Sequence, residues 1–414
     1  MESLDNIIKK KHAYARYIKE EINHTCTSFK KRAPGEEGEK ETANYMAHIL
    51  RSFCGRIEVK NETFKLHPKA FYGWIYIVVT LTLLAMISYF LLPLISLILL
   101  SLALFIFFFE FVLYKEVIDI FFPKKESVNV TAIKKCDKET KCRILFNGHI
   151  DAAWNWRVNN RFGGKVYLTH IVFAFTGLIA LFILSLVATI IMKTNSFIID
   201  NNMPLFYVGI GVVILFIVPI IGLYFMVDWK HTVDGANDNL TGCYLSIALL
   251  KALHDENINF KHVEIGVILT GSEEAGLRGA KAWCKKHQSD YFDVPTYIYS
   301  FDTIHDLKYL GVNYRDLNAT VKSDKQAIEA FQTAALDLNI KCHKTKVPLF
   351  GGSTDSAAFQ KAGFKACGIT ALNHVIENYY HTLKDTPDNI NEECLAETFA
   401  IANQLIKNLT KKYQ

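Results

Sequence analysis

Polar and apolar positions alternate at short periods along most of the chain, and three long blocks break that rule. Residues 70–109 carry no charged side chain. A second apolar block covers 166–192 and a third covers 203–227, separated by the polar stretch Lys193 to Asn202. A helix needs ~20 apolar residues to cross a bilayer. The first block is long enough for two crossings, with Pro93 near its middle where a turn would fall. The pattern therefore predicts four spanning helices in two hairpins. Phe71, Tyr72, Trp74 and Tyr76 mark one interface, where aromatic rings concentrate. Buried core helices are the bland alternative, and runs this long without charge argue against it. The turn of the first hairpin is almost free of polar residues, so a shallow re-entrant hairpin stays open there.

With the apolar blocks set aside, the rest alternates between helix and strand. Residues 38–52 place Ala43, Met46, Ala47 and Leu50 on one helical face. Arg56 to Phe64 alternates as a strand. Val128 to Ile133 and Cys142 to Phe146 read as strands joined by a polar turn, pairing as an antiparallel hairpin. Helices are predicted at Gly242 to Leu253, Lys325 to Leu338 and Leu395 to Leu409, and buried strands at Val263 to Leu269 and Tyr297 to Phe301. The fold class is α/β, a mixed twisted sheet flanked by helices in three layers, with two inserted transmembrane hairpins. The expected boundaries are a discontinuous catalytic domain (1–69, 123–165 and 228–414), hairpin 1 (70–122) and hairpin 2 (166–227).

Hydrophobic residues are 50% of the 414, more than a plain soluble enzyme carries. The net charge of +5 is small and dispersed, with no basic cluster among aromatics and no phosphate-cradling glycine loop, so nucleic acid is excluded as a partner. Nine cysteines, an odd number without a CxxC pair, read as reduced thiols in a reducing compartment. The charged, polar N-terminus lacks an apolar h-region, so no cleaved signal peptide is expected. Lys65, Lys69, Lys115, Lys124, Lys125, Arg157, Arg161, Lys165 and Lys230 flank the spans on the enzyme side, against Lys193 alone on the other. That bias predicts a multi-pass membrane protein whose catalytic domain faces the cytoplasm.

The candidate chemistry sits where apolar strands end, the place an open α/β sheet offers a ligand. His149 and Asp151 follow the strand ending at Phe146, and a carboxylate two residues on can orient a histidine ligand. Asp238 lies in Gly235-Ala236-Asn237-Asp238-Asn239, where alone it would be a helix-capping or turn residue. Glu273 and Glu274 follow Val263 to Leu269. Two adjacent carboxylates repel unless they share a cation or proton, so one suits a metal and its neighbour a proton. Asp302 ends a strand, and His381 lies in a loop after two tyrosines. Each alone has a commonplace structural reading. Together, three carboxylates (Asp238, Glu274, Asp302) and two histidines suit two zinc ions and a water between them, with Glu273 as base. That is amide hydrolysis machinery.

At this point the non-membrane part of the chain resembles the co-catalytic zinc aminopeptidase and glutamate carboxypeptidase family of metallopeptidases. The resemblance rests on Arg32-Ala33-Pro34-Gly35 with Gly38, Glu41 and Ala43-Asn44-Tyr45, on Gly148-His149-Ile150-Asp151, and on Gly235 to Asn239. It continues through Gly271-Ser272-Glu273-Glu274-Ala275-Gly276, Ser300-Phe301-Asp302 and Tyr380-His381-Thr382, in that order. The resemblance implies two zinc ions per chain. His149 and Asp302 hold one, Glu274 and His381 the other, and Asp238 bridges them. It implies Glu273 as general base, Asp151 behind His149, and Tyr380 as a donor to the substrate oxyanion. Gly351-Gly352-Ser353-Thr354-Asp355-Ser356 looks like the loop lining the substrate pocket. The membrane insertions depart from the family pattern.

The expected function is a membrane-integral, zinc-dependent exopeptidase, an aminopeptidase first, acting on peptides through a metal-bridging water. A carboxypeptidase or other amide hydrolase on the same site stands beside it, as does a non-catalytic membrane receptor or scaffold, which the presence of Glu273 disfavours. A transporter is disfavoured because the predicted spans lack Asp, Glu, Lys and Arg. Both hairpins are expected to leave the domain on the active-site side, beside the metal ligands.

Overall fold

The computed structural model describes residues 2–53, 57–192, 199, 203–373 and 377–413. Arg56, and all of the stretch 193–202 except Ile199, lie outside the described residues. The described strands are β1 (Ile57–Leu66), β2 (Lys125–Lys134), β3 (Cys142–His149), β4 (Trp154–Trp156), β5 (Val227–Thr232), β6 (Val263–Thr270), β7 (Thr296–Ile304), β8 (Gly311–Asp316), β9 (Val321–Lys322), β10 (His343–Lys346) and β11 (Lys365–Ala371). The main sheet runs β1-β2-β6-β3-β7-β11-β8-β10, with β9 on β8, and β4 and β5 form a separate ribbon. Its centre, β6-β3-β7-β11, is parallel. These strands are buried on both faces and read as near-continuous apolar runs, as parallel strands do.

Side chains alternate across the sheet. Ile144, Phe146, Ile265, Val267, Tyr299 and Phe301 face a core closed by the helices Lys11–Ser28, Glu37–Ser52, Thr241–Asp255, Lys325–Asp337 and Glu392–Tyr413. Leu145, Ile268 and Ile298 face a smaller core under the helices Arg278–His287 and Ser356–Lys361. The result is the expected three-layer α/β architecture.

One pairing differs from the sequence expectation. β2 and β3 do not pair, because β6 lies between them, antiparallel to β2 and parallel to β3. β2 still runs opposite to β3, so the direction inferred for it holds for another reason. Asp302 lies inside β7 and not at its end. The chain also opens with two helices, Glu2–Lys9 and Lys11–Ser28, that the sequence reading does not predict.

Among the described residues, four helices are long and apolar enough to cross a membrane: Ala70–Leu91, Pro93–Val112, Gly164–Ile191 and Pro204–Phe225. Leu92 alone separates the first two, and Pro93 starts the second, where its missing N–H costs nothing. The second helix runs on to Val112 through a wide last turn, Phe108–Val112, and so contains Glu110. This corrects the expectation of spans free of acidic residues. Buried Glu110 accepts the backbone N–H of Ile118 at 2.8 Å and so ties the helix end to the segment after it. The four helices pack together. The Ser96 and Ser185 hydroxyls bond at 2.9 Å, and Tyr89 donates to the Leu205 carbonyl at 2.9 Å. Their outer faces carry exposed Ile87, Ile190, Ile214 and Val218.

Candidate active site

The site gathers at the carboxyl end of the parallel strands. β3 and β6 run in register, with His149 beside Thr270. The chain after β6 therefore delivers Glu273 and Glu274, in a short 3-10 turn, next to the residues that follow His149. Asp238 comes from the loop Ala236–Leu240, ahead of the helix Thr241–Asp255. The loop begins at Gly235, whose φ of +55° is left-handed, and a Cβ there would lie 2.6 Å from the Asp238 carbonyl oxygen. Only glycine suits such a position. His381 arrives from the loop before the last helix, and the Trp156 N–H of β4 binds its carbonyl at 2.8 Å.

The Asp238 carboxylate stands at the centre. One oxygen lies 3.1 Å from His149 Nε2 and the other 3.0 Å from His381 Nε2. His381 Nε2 is also 3.0 Å from Glu274 Oε1. That Glu274 oxygen is buried without a hydrogen bond, as is His381 Nδ1. Ligand atoms of His149, Asp238 and Glu274 all lie within 4.8 Å of one another. Buried carboxylate oxygens and imidazole nitrogens gathered this closely form a donor set for a cation, and the mixed N and O set fits Zn²⁺. Glu273 Oε2 is 3.9 Å from His149 Nε2. Asp302 lies close enough for Asp238 and His149 to shift its titration, and its Oδ1 accepts the Thr303 hydroxyl at 2.9 Å.

The surrounding carboxylates hold this geometry. Asp151 accepts the backbone N–H groups of Glu273 and Glu274, each at 3.0 Å, and its backbone carbonyl lies 3.1 Å from His149 Nδ1. One carboxylate thus fixes the turn carrying the acid pair, a role the sequence does not disclose. Three further buried acids belong to the scaffold. Asp385 accepts the N–H groups of Asn237 (2.9 Å) and Asp238 (3.1 Å). Glu39 accepts from Gly35 and Ser272, both at 2.9 Å. Asp355 accepts from Asn147 at 3.4 Å and from the Thr270 hydroxyl. Glu39 is buried where the resemblance cites Glu41, which is exposed. The Arg32 guanidinium binds the backbone carbonyls of Ile150, Asp234 and Gly235, tying two ligand-bearing loops together.

So many buried acids cannot all be ionised without compensation. Burial pushes Asp302 up to about 8, with Asp238 adding to the effect. Burial likewise raises Asp385 to about 7, Glu39 to about 8 and Glu273 well above the carboxylate range, the last helped by Glu274 and opposed by His149. His149 is raised despite its burial by Asp151 and Asp238, and His381 is raised to about 10, again against burial, chiefly by Glu274. Asp238 alone is depressed, the two histidines outweighing its burial. Divalent cations bound among these groups would supply that compensation.

Aromatic rings wall the site. Tyr380 lies flat on His381, with centroids 4.1 Å apart at 17°, and Trp156 meets His381 edge-on at 4.3 Å. The hairpin roots close in as well. Phe71 lies against Gly276, at the end of the acid turn, where an added Cβ would come within 2.9 Å of its ring. Tyr72 packs against Trp154 and Trp229. Arg278 donates to the Ala275 carbonyl at 2.9 Å and forms a bidentate pair with Asp119, in the exit segment of hairpin 1, at 2.6 and 2.8 Å. Phe350, in the loop before Gly351, packs among Phe107, Phe111 and Phe175 of the two hairpins.

Comparison with known proteins bears on the fold, which is that of the zinc aminopeptidases. Residues 226–406 match the model of Peptidase family M28. The structure is similar to BSAP, a zinc aminopeptidase from Bacillus subtilis, at a TM-score of 0.54 and 13% identity over 95% of each chain. It is similar to a Zn-dependent exopeptidase from Parabacteroides distasonis, at 0.51 and 13% over 98% of each chain. A glutaminyl cyclase from Fimbriiglobus ruber also matches, at 0.52 and 12%, over 97% of this chain and 94% of that one. At such identities the likeness is one of fold. No curated protein matches in sequence.

Proposed function

We propose that the protein is a membrane-integral di-zinc aminopeptidase, built as a discontinuous peptidase domain (1–69, 123–165 and 228–414) with hairpins at 70–122 and 166–227. The reading is carried by one observation: the two oxygens of Asp238 face two different histidines at 3.1 and 3.0 Å, as a carboxylate shared by two metals must. His149 and Asp302 would hold one zinc, Glu274 and His381 the other, with Asp238 common to both. When bound, the zinc pair supplies Lewis acidity to the peptide carbonyl and lowers the pKa of water.

The chain's own residues do the rest. Glu273, held by its N–H to Asp151, takes a proton from the attacking water and passes it to the leaving amine. Asp151 and Asp385 keep the acid pair and the bridging loop in place. An aminopeptidase is favoured over a carboxypeptidase because a substrate carboxylate calls for a free guanidinium. Arg32, Arg157 and Arg278, which flank the site, are engaged by backbone carbonyls, Asp228 and Asp119 respectively.

Glu273→Gln is expected to keep two zinc ions per chain and to lose about 10²–10⁴-fold in hydrolysis of free-amino peptides. Glu274→Gln should instead keep one zinc. Metal analysis and turnover decide, and full activity in Glu273→Gln would sink the mechanism. The Lys and Arg bias supports a cytoplasm-facing catalytic domain. A cysteine placed at Asn201 should react with an impermeant thiol reagent from outside, and labelling of a cysteine at Gln414 instead would reverse the orientation.

A further inference from the structure

Tyr114 follows the last turn of hairpin 1 and lies outside every motif of the peptidase resemblance. Its backbone is held in a left-handed conformation, φ +54°. Lys281 Nζ binds its carbonyl at 2.7 Å and Lys361 binds the carbonyl of Leu113 before it at 3.3 Å. The backbone is thus fixed by two helices of the peptidase layer, and the ring goes where they send it. It packs edge-on against Phe71, at a centroid distance of 4.7 Å, and Phe71 in turn covers Gly276 at the end of the acid turn. On the other side, the Tyr114 hydroxyl lies 3.8 Å from where a Cβ on Gly352 would stand. The phenol thus sits between the turn carrying Glu273 and the loop Gly351 to Ser356. The carboxylates of Glu273, Asp316, Glu274 and Asp302 all lie near enough to add to burial in opposing its ionisation, which keeps it a donor.

That donor has no acceptor. Tyr114 is 7% exposed, and its hydroxyl forms no hydrogen bond among the described residues. The hydroxyl oxygen is not among the fully buried polar atoms without a partner, so an opening is left through which an acceptor can reach it. Tyr380, to which the resemblance gives the oxyanion, lies flat on a histidine, so the two phenols approach the site from different walls.

We infer that Tyr114 donates its phenol proton to a carbonyl oxygen of the bound peptide, so that the first membrane hairpin supplies part of the substrate site. The inference rests on the peptidase reading above. Tyr114→Phe tests it cleanly, because the ring keeps its packing on Phe71 and the hydroxyl has no protein bond to lose. The full-length protein in lipid nanodiscs, loaded with zinc, is assayed on the tripeptide Leu-Gly-Gly. Binding of the same peptide is measured by calorimetry in the Glu273→Gln background, where turnover is blocked.

The expected result is a fall of about tenfold in kcat/KM and a matching rise in Kd, the effect of one lost hydrogen bond, with zinc content and unfolding midpoint unchanged. Unchanged kcat/KM and Kd would overturn the inference. So would a loss that comes with lost zinc or a lowered midpoint, since that marks a structural role. If the wild-type protein neither cleaves nor binds the peptide, the peptidase reading itself falls, and the inference with it. That failure shows in the parent protein, whereas failure of the Tyr114 role shows only in the variant. Tyr380→Phe, run in parallel, reports on the other wall.

Discussion

The peptidase core and the helical bundle bury polar groups by opposite rules. In the core, buried carboxylates draw partners from distant segments: Asp151 serves two N–H groups across 122 and 123 residues, and Asp385 serves the Asn237–Asp238 backbone across 148 and 147. In the bundle, apart from Glu110 at a helix end, the polar contacts among the described residues join neutral groups, as between Ser96 and Ser185 or His170 and the Pro219 carbonyl. Helix approach there relies on small residues: Gly177 takes the ring of Phe216 and Gly209 that of Tyr89. In lipid, which offers no hydrophobic drive between helices, such close packing would carry the association. The core instead holds like charges together, a cost that a cation or a proton relieves. The two regimes meet where Arg278 and Phe350 join them.

The comparison breaks hardest at that junction. Arg278→Met removes a buried cation shared by Asp119 and Glu116. Because both acids keep some solvent access, the cost is expected at about 2–4 kcal/mol, read as a drop in unfolding midpoint with loss of activity. Asp385→Asn leaves the shape but weakens the support of the Asp238 loop. Zinc affinity should fall by about 10–100-fold, measurable by competition with a chelator, with a smaller loss of stability.

A pH test separates the regimes without mutation. The raised carboxyl groups of Asp302, Asp385 and Glu39 hold protons in the folded state that the unfolded chain has already released. Their contribution is therefore lost as pH climbs from about 4 towards 8. The raised His381 acts in the same direction above about 6.5, while the depressed Asp238 opposes at lower pH. Metal-free protein is expected to show a lower Tm at pH 8 than at pH 5, and zinc should raise Tm more at the higher pH. A flat metal-free profile would contradict the charge reading. The smallest effect belongs to the bundle: Ser96→Ala should cost about 0.6 kcal/mol and leave peptide turnover intact.

The sequence discloses the bundle because absence of charge over 40 residues is a local property. It discloses the central strands, and marks His149, Glu274 and Asp302 as candidates, because each lies at or near the end of an apolar run of the main sheet; Asp238 and His381 lie in loops and stand out only as part of the set. It does not disclose Asp385, Glu39 or Asp355, whose partners are remote; Glu39 meets Ser272 from 233 positions away, and a single acid in a loop or first helical turn has no signature of its own. The place of β6 between β2 and β3 is non-local in the same way. The helix Lys11–Ser28 is different: Tyr14, Ile18, Ile22 and Cys26 recur at helical spacing on its buried side, a signal present but masked by the surrounding lysines.

The clamp of Arg278 on Asp119 has a consequence for biogenesis. If the apolar hairpins cross a bilayer as proposed, the acid turn is braced by a segment that reaches its place only after two helices have been inserted and returned. A chain stranded in the cytosol would then hold Glu273 and Glu274 without that brace. On that reading membrane insertion would be the maturation step, in the manner of a zymogen whose activating event is delivery and not cleavage. Protein synthesised without lipid or detergent should therefore bind zinc poorly and leave free-amino peptides intact, and should gain both properties when nanodiscs are supplied during synthesis.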